Sequence, residues 1–121
     1  MTNIILLTLV LTLFQIWLIP MFLNLRNMNY LMSNRDEPME MSITVQRVLR
    51  ASANLQESLP AFLALVILGI ILEENLVTLG YSWIGLRIAY LLSYSYGIEK
   101  IRSYIWIASV VVLVLMALRF I

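Results

Sequence analysis

Apolar residues gather into four runs along the chain, and polar residues collect between them. The first run, about 3–25, is broken only by Thr8, Thr12, Gln15 and Asn24, and is long enough to cross a hydrocarbon layer as a helix. It lacks a basic leader and a small-residue cleavage site, so it is read as retained structure, with Pro20 predicting a kink near its end. The second run, about 42–72, has a polar first half with Arg47, Arg50, Asn54 and Glu57 and an apolar second half from Pro60 onward. As one helix it would reach about 46 Å, more than the roughly 30 Å of hydrocarbon, so part of it should protrude. The third, about 76–96, carries Arg87, Tyr90 and Tyr94; the fourth, about 101–118, is nearly pure aliphatic. The turns at 73–75 and 97–100 are short enough to make the last three helices antiparallel neighbours. The expectation is an all-α fold: a single domain, 1–121, forming an integral membrane four-helix bundle.

Composition strengthens this reading and narrows the chemistry. The 121 residues are 62% hydrophobic and 12% charged, far from the quarter charged of an ordinary soluble domain. The absence of His and Cys removes zinc, haem-histidine, thiolate-enzyme and Ser-His-Asp chemistry, and no metal is expected. A net charge of +1 is too near balance for a protein that must neutralise many phosphates. Basic residues Arg26, Arg35, Lys100 and Arg102 fall in the first and third loops, while the second has Glu73 and Glu74. Basic loops stay on the cytoplasmic side, which sends both termini to the opposite face, with Arg119 as the minority charge.

A charge inside a membrane helix is costly unless it is paired or lines an aqueous cavity. At 100° per residue, Arg47, Arg50, Asn54 and Glu57 fall within an arc of about 80°, and Arg87, Tyr90 and Tyr94 within about 60°. Two such stripes on adjoining antiparallel helices should meet, with Glu57 near Arg87. One reading makes this an internal salt bridge, with Arg47 snorkelling at the helix start. The other notes that one acid cannot neutralise Arg47, Arg50, Arg87 and Arg102, so the cleft calls for an anionic ligand. Tyr90 and Tyr94 are either interfacial aromatics or ligand-facing residues, whereas Tyr81, Trp83, Tyr104 and Trp106 are read as an interfacial belt.

The stretch Arg47-x-x-Arg50-Ala51-x-x-Asn54-x-x-Glu57-x-x-Pro60 resembles the signature of MAPEG, the membrane-associated proteins of eicosanoid and glutathione metabolism. The similarity covers the whole chain and is nearest to the short bacterial-type members: four helices, an Arg87-x-x-Tyr90-x-x-x-Tyr94 stripe, and Arg102-Ser103 opening the fourth helix. Ser52 stands where many members have His. The resemblance implies a homotrimer that binds glutathione as co-substrate in a cleft between subunits near the cytoplasmic face. By position, Arg50, Asn54, Glu57, Tyr90, Tyr94 and Ser103 are implied glutathione contacts. Arg102 is the implied catalytic residue beside the sulfur, and Arg26 reaches in from the adjoining subunit. Arg47 and Arg87, on the same stripes, complete the candidate set. Glutathione carries two carboxylates and one amine, which suits several arginines and one acid. A guanidinium beside its thiol favours the thiolate, the form that attacks a lipophilic electrophile arriving through the bilayer.

The function expected from this is a membrane glutathione transferase or peroxidase. The alternative within the fold is a non-enzymatic lipid-binding or scaffold protein. A small four-helix drug exporter fits in size, but its first helix should carry an acid, and here it has only Gln15.

Overall fold

The computed structural model describes residues 1–23 and 42–121. The described chain is all-helical: four rods joined, after the first, by tight turns. The first rod is α1 (Thr2–Thr12), a π-helical stretch (Leu13–Leu18) and α2 (Ile19–Leu23) in succession. The others are α3 (Ile43–Ile71), α4 (Val77–Ser95) and α5 (Glu99–Leu118). The first loop, with Arg26 and Arg35, lies outside the described residues.

Local bonds account for particular rod ends. Ser42 caps α3, its hydroxyl accepting from the Val45 N–H at 3.2 Å. Pro60 lies inside α3 without ending it. At the end of α4, Gly97 takes φ 76° and the Ile98 N–H reaches back to the Ser93 carbonyl at 3.0 Å, closing the helix and reversing the chain into α5. In the first rod the Ile19 N–H bonds the Phe14 carbonyl, five residues back. In that register position 20 would serve the Gln15 carbonyl, but proline has no N–H to give. The kink expected at Pro20 is thus expressed as a widened turn ahead of it.

The buried faces follow helical spacing. On α3 they are Val45, Val48, Ala51, Ser52, Leu55, Phe62, Val66 and Gly69; on α4, Gly80, Trp83, Ile84, Arg87, Tyr90 and Leu91 recur at three and four. The main core joins Ile4, Leu55, Phe62, Val66, Leu76, Trp83, Ile84 and Met116, with Phe62 and Trp83 stacked at 3.9 Å between centroids. Trp83 is fully buried, so it is a core residue and not part of an interfacial belt. At the end holding Met1 and Glu73, Arg119 pairs with Glu74 at 3.0 Å.

The outside of the bundle is apolar. Leu6, Leu9, Phe14, Trp17, Ile67, Ile71, Val111 and Val114 are all exposed on the single chain, far more apolar surface than water tolerates. Among the described residues, α3 and α5 are long and apolar enough to cross a bilayer.

Candidate functional site

The polar ends of α3, α4 and α5 converge at the end of the bundle opposite Glu74 and Arg119. Because α3 and α4 run antiparallel, the first half of α3 faces the second half of α4, which sets Asn54 beside Arg87. The Arg87 guanidinium donates from Nη2 to Asn54 Oδ1 at 2.8 Å. The α4–α5 turn then returns the chain so that Arg102 lies over the Tyr94 ring, 4.6 Å from its centroid. Tyr90 and Tyr94, one turn apart on α4, meet edge to face at 5.7 Å.

Beside them Asn54, Tyr90, Tyr94, Arg102, Ser103, Trp106 and Ile107 line an open hollow of about 420 Å³. A smaller one, about 190 Å³, adjoins it through Tyr94 and Arg102 and is lined also by Arg47, Arg50, Ser93, Gly97 and Glu99. Three guanidiniums thus border connected space, and the one acid there, Glu99, forms no ion pair among the described residues. Fixed positive charge with low-dielectric walls attracts an anion. The Ser103 hydroxyl, at the edge of the hollow, donates to the Glu99 carbonyl at 3.3 Å. The larger hollow is mixed in character, with a polar side from α3 and α4 and an apolar side from Trp106 and Ile107.

Of the residues singled out from the sequence, Asn54, Tyr90, Tyr94, Arg102 and Ser103 line the larger hollow, and Arg47 and Arg50 the smaller. Arg47 does more than snorkel: its guanidinium lies on the α4–α5 turn, with Nη1 2.9 Å from where a Cβ on Gly97 would stand. Arg87 lines neither hollow. It is 1% exposed and lies over the Tyr90 ring at 4.7 Å and the Trp83 ring at 5.8 Å. The expected meeting of Glu57 with Arg87 does not occur. Glu57 is exposed, one helical turn beyond Asn54, and forms no ion pair with Arg87, which bonds the amide instead. Arg26 lies outside the described residues.

The sequence reading does not single out Trp106 and Ile107 as lining the hollow and places Trp106 in the belt; Trp106 is both exposed and part of the hollow's wall. The signal was helical spacing: they stand four residues after Arg102 and Ser103, on the same face of α5. Ser52, the departure from the family pattern, is buried, and its single hydroxyl proton lies between the Gln15 carbonyl at 2.7 Å and its own helix's Val48 carbonyl at 2.9 Å, the shorter contact tying two rods together.

In comparison with known proteins, the family model described as the MAPEG family matches residues 4–121. No curated protein and no solved structure matches the chain.

Proposed function

The chain belongs to the MAPEG family, and from that premise we propose that it is a glutathione-dependent transferase or peroxidase acting on lipophilic electrophiles within the membrane. The observation that carries this reading is the hollow in which Arg102 and Ser103 of α5 stand opposite Asn54, Tyr90 and Tyr94, with Arg47 and Arg50 in the adjoining space. Its charge suits a tripeptide with two carboxylates, and its apolar side of Trp106 and Ile107 suits a substrate that arrives from lipid.

In this reading Arg50, Asn54 and Tyr94 hold the tripeptide, with Arg47 adding positive charge at the mouth. Arg102 stabilises the ionised sulfur once its proton has left to water; arginine itself has no proton to accept or lose at neutral pH. The thiolate then attacks the electrophilic carbon, forming a carbon–sulfur bond as the leaving group departs or the strained ring opens. Glu57, exposed on α3, would meet the ligand's amine where a second copy of the chain closes the cleft. A charged residue on a helix that crosses lipid favours such cover, which supports a homotrimer with Arg26 entering from the neighbour. The basic ends of α3 and α5 support a cytoplasmic orientation for the cleft.

The test is titration of the purified protein with glutathione while following thiolate absorbance. Thiolate signal in the parent and its loss in Arg102→Ala are expected. No binding at millimolar glutathione, with the variant behaving like the parent, overturns the proposal, and lipid alone in the hollow would favour a scaffold role.

A further inference from the structure

Arg87 is a full positive charge buried beneath the site, and no carboxylate pairs with it among the described residues. Among the described residues it meets the rings of Tyr90 and Trp83 and one amide oxygen, Asn54 Oδ1 at 2.8 Å, and its Nε has no hydrogen-bond partner. Guanidinium has only donors, so the atom of Asn54 turned toward it must be the oxygen. Asn54 is half-buried and lines the larger hollow, which Arg87 does not reach. With its acceptor engaged below, the group Asn54 offers the hollow is its NH2.

We infer that Arg87 is a positioning residue that locks the Asn54 amide with its two N–H donors facing the hollow, so that this wall of the site recognises an acceptor oxygen, a carboxylate or a carbonyl of the bound tripeptide. An unconstrained asparagine presents either end of its amide and so accepts a donor as readily as it donates to an acceptor. The lock removes that choice. It also explains a buried arginine that touches no ligand: its charge strengthens the bond that orients Asn54, while the ring faces of Tyr90 and Trp83 shield it. Since Tyr90 lines the hollow and covers Arg87, the same guanidinium braces two of the walls that face the ligand.

This inference rests on glutathione being the ligand, and two measurements separate its failure from the failure of that reading. The first is glutathione binding and turnover by the parent, Arg87→Lys, Arg87→Met and Asn54→Asp. Asn54→Asp should keep or raise the melting temperature, because a carboxylate suits Arg87 at least as well as the amide, yet bind glutathione roughly tenfold or more weakly, its donors lost. Arg87→Met should raise KM for glutathione by a similar factor with kcat at saturation little changed, and Arg87→Lys should recover part of the loss. Parent-like affinity in Asn54→Asp or Arg87→Met overturns the inference. The second is a stability cycle of Arg87→Met, Asn54→Ala and the double variant, which needs no ligand. The double variant should melt no lower than the worse single one, whereas additive losses would show that the two side chains do not act together. If the parent binds no glutathione, the broader proposal falls, and the cycle alone decides whether the amide is held.

Discussion

The hydroxyl of Ser52 on α3 donates to the backbone carbonyl of Gln15 in the first rod at 2.7 Å, across 37 positions of sequence. That carbonyl needs an outside donor because the helical register would assign it to position 20, which is proline. A buried carbonyl left without a partner costs about 1–3 kcal/mol, so Ser52→Ala should lower stability by that amount in detergent unfolding. Pro20→Ala should reduce the penalty by restoring an N–H in the rod, which a double-variant cycle would detect. The Gln15 side chain itself is fully buried with no partner for either amide atom among the described residues. Gln15→Met should therefore leave stability level or higher, separating the side chain from the carbonyl it accompanies.

The stacked pair Phe62 and Trp83 anchors α3 to α4 at the centre of the main core. Phe62→Ala should cost about 3–5 kcal/mol, the range for emptying a buried aromatic position. Trp83→Phe should be far milder, within about 1.5 kcal/mol, since the ring contact survives and an indole N–H with no partner among the described residues disappears. Equal losses from the two would mean that the indole nitrogen has a role in stability.

Much of this architecture is written in the spacing of apolar residues. The second run of the sequence became α3, and the short links at 72–76 and 96–98 forced α3, α4 and α5 into antiparallel succession, with α5 beginning at Glu99, inside the turn expected at 97–100. The convergence of Asn54, Tyr90, Tyr94 and Arg102 was legible too, because helical periodicity determines which residues share a face. Spacing does not say which member of a stripe meets which partner. Asn54 and Glu57 stand within one arc, and only the axial offset of α3 against α4 decides that Arg87 finds the amide. Trp83 and Trp106 show a second limit: an aromatic on an apolar helix has the same sequence context in a lipid-facing belt, a core or a pocket wall. Pro20 announced a bend but not the rod that would satisfy the carbonyl it leaves free.

Gly97 tests the α4–α5 turn. Its φ of 76° is unfavourable for residues with a Cβ, and a Cβ there would stand 2.9–3.1 Å from the Arg47 guanidinium atoms. Gly97→Ala should cost about 1–2 kcal/mol from the backbone alone and displace Arg47 from the smaller hollow, which a fall in glutathione affinity would report. Gly85 is the control, helical and with nothing within 4 Å of an added Cβ. Gly85→Ala should stabilise by about 0.5–1 kcal/mol through helix propensity. A loss there would instead report another copy of the chain seated against that face.

The two sides of the larger hollow should fail in different ways. Arg102 carries the charge beside Tyr94, and Trp106 stands one turn further along α5 on the apolar side. On the proposed function, removing the guanidinium takes away the interaction that favours ionised sulfur, so Arg102→Ala should lose thiolate absorbance and turnover together, even with glutathione in excess. Trp106→Ala removes apolar contact surface but no charge. It should therefore keep the thiolate signal and the affinity for glutathione while KM for a lipophilic electrophile rises, by roughly tenfold if one large ring contact is lost. The rise should grow with the length of the electrophile's alkyl chain, because longer chains draw more of their binding from the apolar wall. An equal effect on short and long electrophiles would place the hydrophobic substrate elsewhere and leave Trp106 as a membrane-facing residue alone.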